Sequence, residues 1–369
     1  MIAPARSRPA PVAQRRPLLR PGDAASVRAW LVTRAALLVL TWPALWIMQA
    51  SSHARYPWPS LWVHWDAQIY VNIAAHGYGS VNPDDVAFFP GYPALLAFAH
   101  LLIPNWTIAG LAISLAAGLL AAIPVGRLGG SAAVLFLACS PAAVFLSAGY
   151  TEPVFLALAA WAWLSASQDR WYRAAFLAAA AGAVRIDGLF LIAGLTVLAI
   201  TSGRPRRIPV LIISLIPAAL YEAYLWYRTG DILAWLHAEA HGWGRHFTSP
   251  LSAFRATWHL AFGHVLSAPW AFECQLEILA AIVSLIFVGY LAAARRWPEL
   301  AYCGLVSGAL LTSTFFMSVP RSLLIMFPLW IYLAGLARRW QWITGLYLAV
   351  SIPLALSLAL LYLTGSWAG

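Results

Sequence analysis

"AFFPGYPALLAFAHLLIP", residues 87–104, decides how this chain is threaded. The run is apolar enough to enter a bilayer, yet it carries Pro90, Pro93 and Pro104. Proline inside a helix removes a backbone donor and breaks the turn. If 87–104 crossed, every later connection would change sides. Those connections include Arg127, "SQDRWYR", "GRPRR", "ARRWPE" and "ARRW". Together with the N-terminal segment, Arg28 and Arg34 they hold 17 of the 23 arginines. Short arginine-rich loops face the cytoplasm. The run is therefore expected to lie as an interfacial or re-entrant helix on the outer face.

Composition sets the solvent. The chain is 62% hydrophobic, with 20 Trp and 10% charged residues, and its mean hydropathy is +0.74. A soluble domain needs roughly 25% charged residues to cover its surface. The reading is an all-α polytopic membrane protein forming a single domain over 28–364, after a disordered cytoplasmic tail over 1–27. Candidate spans are 28–50, 106–126, 131–148, 151–167, 172–185, 187–201, 208–228, 275–294, 299–317, 322–337 and 341–364. A helix needs about 20 residues to cross a core about 30 Å thick. The short pair 172–185 and 187–201 fits two crossings or a half-depth hairpin. This count of about 11 spans puts the N-terminus in the cytoplasm and the C-terminus outside a cell membrane. The large outer loops are 51–105 and 229–274.

The net charge of +10 does not mark a nucleic-acid binder, because the arginines are spread over loops rather than gathered on one face. The chain contains no lysine. That excludes a P-loop lysine and a pyridoxal Schiff base. Cys139, Cys274 and Cys303 lack metal-ligand spacing and read as core residues.

With this topology the polar residues sort by side. Asp66, Asp84, Asp85, Glu152, Asp187, Asp231, Glu239 and Glu273 fall on the outer face, with Arg185, Arg245 and Arg321. Glu222 and Glu277 fall in the outer halves of spans. Outside the membrane there is no ATP and no nucleotide sugar. Group transfer there needs an activated donor held in the membrane, such as a sugar on a polyprenyl phosphate. An inverting displacement then needs one carboxylate base and cations on the leaving phosphate. A glycosidase would need two flanking carboxylates.

Asp66, in "LWVHWDAQIYVNIAAHGYG", is the candidate base, and Trp62, Trp65 and Tyr70 beside it suit a sugar ring. Asp66 equally suits the start of the helix that follows. Arg321 is the candidate phosphate clamp; the competing role is a flanking arginine reaching the interface. Arg185 and Arg245 are further phosphate candidates, and Asp187 stands two residues from Arg185 as an ion-pair partner. Glu152 and Tyr150 are candidate sugar or acceptor contacts, although a carboxylate at a helix N-terminus is favourable in itself. His241 and Trp243 stand in an expected amphipathic helix lining an acceptor groove. His237 and His241 share metal-like spacing but lack a third ligand.

These residues fall into blocks. "HWDAQIYVNIAAHGYG" and "AFFPGYP" resemble the opening pattern of the phosphatidylinositol-glycan class V mannosyltransferases and their bacterial relatives. "SPAAVFLSAGYTEPVF", "RWYRAAFLAAAAGAVRIDGLFL", "YRTGDILAWLHAEAHGWGR" and "SVPRSLLIMFPLW" are similar to later blocks in the same order. The resemblance covers about residues 62–337. It implies a GT-C glycosyltransferase fold with juxtamembrane helices in the first outer loop. It also implies Asp66 as the catalytic acidic residue, and a polyprenyl-phosphate mannose donor. His64, Gly91 and Asp187 depart from the pattern and leave the acceptor open. The lysine-free, Ala/Arg-rich composition points to a high-GC bacterium, so the eukaryotic acceptor is not carried over.

The expected activity is transfer of mannose to a lipid-linked or cell-envelope glycan with inversion. No cofactor or metal is expected, and no nucleic acid. A membrane partner subunit stays open. The rivals are a lipid or glycan flippase, a non-catalytic subunit, and a GT-C transferase with another donor sugar. A flippase would place ionisable residues at the bilayer midplane and show internal repeats; neither is seen in the sequence.

Overall fold

The computed structural model describes residues 20, 22–52 and 55–367. The chain is an all-α polytopic membrane protein, and no strand occurs among the described residues. In chain order the helices are α1 (Asp23–Ser52), α2 (Asp66–His76), α3 (Gly91–His100), α4 (Trp106–Gly129), α5 (Ser131–Ala138) and α6 (Glu152–Ser167). Then come α7 (Trp171–Val184), α8 (Asp187–Thr201), α9 (Ile208–Ile212), α10 (Ile216–Thr229), α11 (Ala234–Trp243) and α12 (Pro250–Phe262). The last are α13 (Ala268–Ala293), α14 (Trp297–Leu311), α15 (Val319–Ile325), α16 (Phe327–Arg339) and α17 (Trp342–Leu363).

Among the described residues five stretches are long and apolar enough to cross a membrane: Asp23–Ala50, Trp106–Gly129, Pro205–Thr229, Ala268–Ala293 and Trp342–Leu363. Helices α15 and α16 make a sixth if they count as one span bent by 77°. By length and composition alone five or six described stretches qualify, against the count of about eleven expected. The expected span 131–148 is not one helix, since α5 stops at Ala138 and Pro141 follows the break. Helices α7, α8 and α14 have 14, 15 and 15 residues. At 1.5 Å per residue each is about 21–23 Å long, short of a core about 30 Å thick. The α7–α8 pair is therefore a hairpin whose two arms are each longer than half the core and shorter than its full thickness. The difference has a physical cause: an apolar run signals burial in protein as well as burial in lipid. Helix α6 shows it, because nearly all its residues are covered by neighbouring helices. It packs on α4 and α7, and α8 packs on α14.

Segment 87–104 does not make a span. Helix α3 holds 10 residues, about 15 Å of rise, and lies on α2, α4 and α7. Gly91 is the point of closest approach. A Cβ built there would sit 2.6 Å from the backbone oxygen of Ala183 in α7. That contact explains why a leucine-like residue is absent. Gly91→Leu is expected to push α3 off α7 and to lower the thermal unfolding midpoint in detergent. The cost is about 1–3 kcal/mol, typical of overpacking; an unchanged midpoint would show that this approach is not tight.

The ends of the bundle differ in chemistry. Helix α1 begins at Asp23, inside the segment 1–27 expected to be a disordered tail; residues 1–19 and 21 of that tail lie outside the described residues. Arg127 at the end of α4 grips Asp23 through Nε–Oδ1 at 3.0 Å and Nη2–Oδ2 at 2.6 Å. Arg338 donates to the Gly129 carbonyl at 2.8 Å. Arg204 lies 3.7 Å from Asp169. The arginine-bearing connections thus meet at one end. At the other end Tyr362, in the last turn of α17, donates to the Trp62 carbonyl at 3.0 Å. The start of α1 and the end of α17 stand at opposite ends of the bundle, and Asp66 belongs to the α17 end.

Candidate active site

Asp66 is the first residue of α2, and the preceding Trp65 takes φ +55°. That left-handed turn is unusual for a bulky residue. It turns the Asp66 side chain toward α15, where Arg321 donates from Nη1 to Oδ2 at 2.7 Å. Both side chains are about nine-tenths buried. Asp66 also lines a cavity of about 390 Å³ with Tyr70, Arg185, Glu239, Arg245 and Arg321. This volume falls in the range of small-molecule sites, about 300–1,000 Å³.

The ion pair continues inward. Glu152, the first residue of α6, is fully buried. Its Oε1 accepts from Arg185 Nη1 at 2.7 Å. Arg321 Nε lies 3.1 Å from the same oxygen, but without hydrogen-bond alignment. Arg185 also donates to Thr151 at 2.9 Å and to Asp187 at 2.8 Å. Five charged groups therefore form one network: Asp66, Glu152 and Asp187 against Arg185 and Arg321. Three negative charges meet two positive ones. Burying such groups is costly unless they are paired, so the network holds α2, α6, α8 and α15 in one geometry.

Arg245 is engaged more weakly. Its Nη2 reaches the Met317 carbonyl at 3.4 Å, Nη1 lies 3.7 Å from Glu239, and Nε has no partner. Burial pushes the Glu239 carboxyl above its ordinary range, and Arg245 opposes that rise. Of the three expected phosphate cations, Arg245 keeps the most unused donor capacity toward the cavity. Arg321 and Arg185 line the same cavity but already hold carboxylates.

Other expected contacts fall elsewhere. Glu152 and Tyr150 are both buried and do not line the cavity. Glu152 braces the two arginines, and the Tyr150 ring lies under the Arg321 guanidinium, 5.3 Å from its centre. Trp65 packs edge-on against Trp270 and Trp367. Trp243 packs against Phe88 from behind the cavity wall. His241 is exposed and pairs with Asp84 at 2.8 Å, while His237 pairs with Asp231 at 2.6 Å. The two histidines thus serve separate carboxylates, and no group of three or more His, Cys, Asp or Glu fit to hold a metal occurs among the described residues. Tyr70 lines the cavity wall.

The role of one residue placed from the sequence only in the outer half of a span was not read there. Glu277 in α13 accepts the backbone N–H groups of Ser318 and Val319 at 2.6 and 2.8 Å. It fixes the start of α15, two residues before Arg321. Ser318 itself takes φ +64°. The available signal was a carboxylate inside an apolar span, which is rare without a partner.

Over 145 residues the chain is 37% identical to "GPI alpha-1,6-mannosyltransferase 2" of Homo sapiens, a match covering 34% of this chain and 29% of that protein. The Mus musculus and Rattus norvegicus proteins of the same name are each 35% identical over 144 residues, with the same shares. The similarity thus spans about 29% of the length of the curated relatives it matches. No protein-family model matches the chain, and no solved structure matches it. These similarities support a relationship to the phosphatidylinositol-glycan class V mannosyltransferases across about a third of the chain.

Proposed function

We propose that the chain is an integral membrane mannosyltransferase of GT-C type. In this reading it takes mannose from a polyprenyl-phosphate donor and passes it to a lipid-linked or cell-envelope glycan. The site faces the outer side of a cell membrane, and the N-terminus faces the cytoplasm. The observation that carries the reading is the cavity itself: three carboxylates, Asp66, Asp187 and Glu239, and three guanidinium groups, Arg185, Arg245 and Arg321, line a single space of about 390 Å³.

The chemistry follows from the placement. Asp66 gives one oxygen to Arg321 and turns the other to the acceptor hydroxyl. As the hydroxyl oxygen attacks the anomeric carbon, its proton passes to Asp66. The bond from that carbon to the phosphate oxygen breaks on the opposite face, so the configuration inverts. The phosphate leaves with the electron pair, and Arg245 holds its charge, released from its loose contact with Glu239. Tyr70 and Phe88 at the wall exclude water from the sugar.

The test is reconstitution of the purified chain with polyprenyl-phosphate mannose and an envelope lipid extract. The expected product is one lipid or glycan species heavier by a hexose, seen by mass spectrometry. No transfer to any species, with donor shown to be bound, sinks the reading. In the same assay Arg245→Ala is expected to raise the donor KM about tenfold or more, as for one lost charge-assisted contact worth about 1.5–3 kcal/mol. An unchanged KM removes Arg245 from the phosphate site.

A further inference from the structure

Trp65 stands outside the cavity yet sits directly before Asp66 in an unfavoured backbone turn, φ +55° and ψ −126°. A non-glycine residue persists there only if its surroundings impose the conformation. The surroundings come largely from the segment after α17. The Trp65 indole N–H donates to the Ser366 carbonyl at 3.3 Å. Its ring meets Trp367 edge-on at 5.1 Å and Trp270 edge-on at 6.0 Å, and those two rings lie parallel to each other. The flanking backbone is held as well. Tyr362 donates to the Trp62 carbonyl at 3.0 Å, and Tyr150 donates to the His64 carbonyl at 3.2 Å. The His64 ring stands edge-on to Tyr362 at 5.7 Å. Tyr150 also lies beneath Arg321, so one phenol supports both the loop before Asp66 and the arginine that holds Asp66.

We infer that Trp65 is a positioning residue for the Asp66 carboxylate, locked in its left-handed turn by Ser366, Trp367 and Trp270. The clamp acts through backbone geometry, not through contact with the sugar. It rests on the transfer reading above for its kinetic consequence, and on the packing alone for its structural one.

Two readouts separate these. The first is labelling of Asp66→Cys by a charged methanethiosulfonate reagent, in the full chain in nanodiscs with Cys139, Cys274 and Cys303 replaced by alanine. Adding Trp65→Gly, or ending the chain at Thr364, is expected to change the labelling rate at least fivefold. Trp65→Phe keeps the ring contacts and is expected to restore most of the native rate. The second is kinetics with Asp66 intact: Trp65→Gly lowers kcat for mannose transfer about tenfold or more, with the donor KM within twofold. Unchanged labelling in both the glycine variant and the shortened chain overturns the positioning role. A raised donor KM with native kcat also overturns it, and makes Trp65 a sugar contact. If the native chain transfers no mannose while labelling still responds to Trp65, the clamp stands and the transfer reading falls.

Discussion

Asp66→Asn is expected to lower sugar transfer by roughly 10²–10⁴-fold, the range lost when a positioned general base is removed. The substitution is isosteric, and its amide oxygen still accepts from Arg321. The buried network also goes from an excess of one negative charge to neutrality. Asp66, Glu152 and Asp187 now face Arg185 and Arg321, and removing one carboxylate leaves two against two. Insertion and unfolding midpoint should therefore stay close to native while turnover collapses. Donor binding, measured separately by isothermal titration into nanodiscs, should persist, because Arg245 does not depend on Asp66. Transfer retained within about threefold would remove Asp66 from the chemistry. A collapse of both folding and turnover would instead make it a purely structural partner of Arg321.

Much of this geography was legible in the residues. Basic connections mark one end, and the contacts of Arg127, Arg204 and Arg338 gather there as the charge pattern requires. Segment 87–104 carried its own answer in Pro90 and Pro93, and α3 is too short to cross. The grouping of Asp66, Arg321 and Arg185 was readable because each is an ionisable residue set beside apolar runs, where a charge demands a partner. The division of labour among them was not. Charge type alone does not tell a guanidinium that braces a carboxylate from one that awaits a phosphate; partner distances do. Aromatic residues were the weakest signal. Trp65, Tyr150 and Trp243 suit a sugar platform by type, but 14% of the chain is aromatic, and the structure uses these three for packing. Glu277 was invisible as a cap, since its partners are backbone N–H groups 41 and 42 residues away.

Arg321→Leu should give the largest loss of stability in the site. Without the guanidinium, Asp66, Glu152 and Asp187 share Arg185 alone, three buried carboxylates against one cation. Removing one partner of a buried pair costs about 3–5 kcal/mol, because the remaining charge stays desolvated. The expected sign is a marked fall in the thermal unfolding midpoint in detergent, with transfer lost. Folding loss alone would not identify the partner, so the double variant decides. Asp66→Leu combined with Arg321→Leu removes both charges and replaces them with apolar volume, which is often neutral or stabilising for a buried pair. The double variant should recover a large part of the midpoint lost by Arg321→Leu alone, a coupling of order 0.5–3 kcal/mol for residues in contact. It should remain inactive. If instead Arg321→Leu leaves the midpoint unchanged and only weakens donor binding, Arg321 is a phosphate ligand that meets Asp66 only when the site is empty. Arg245 would then lose its place as the main anion contact.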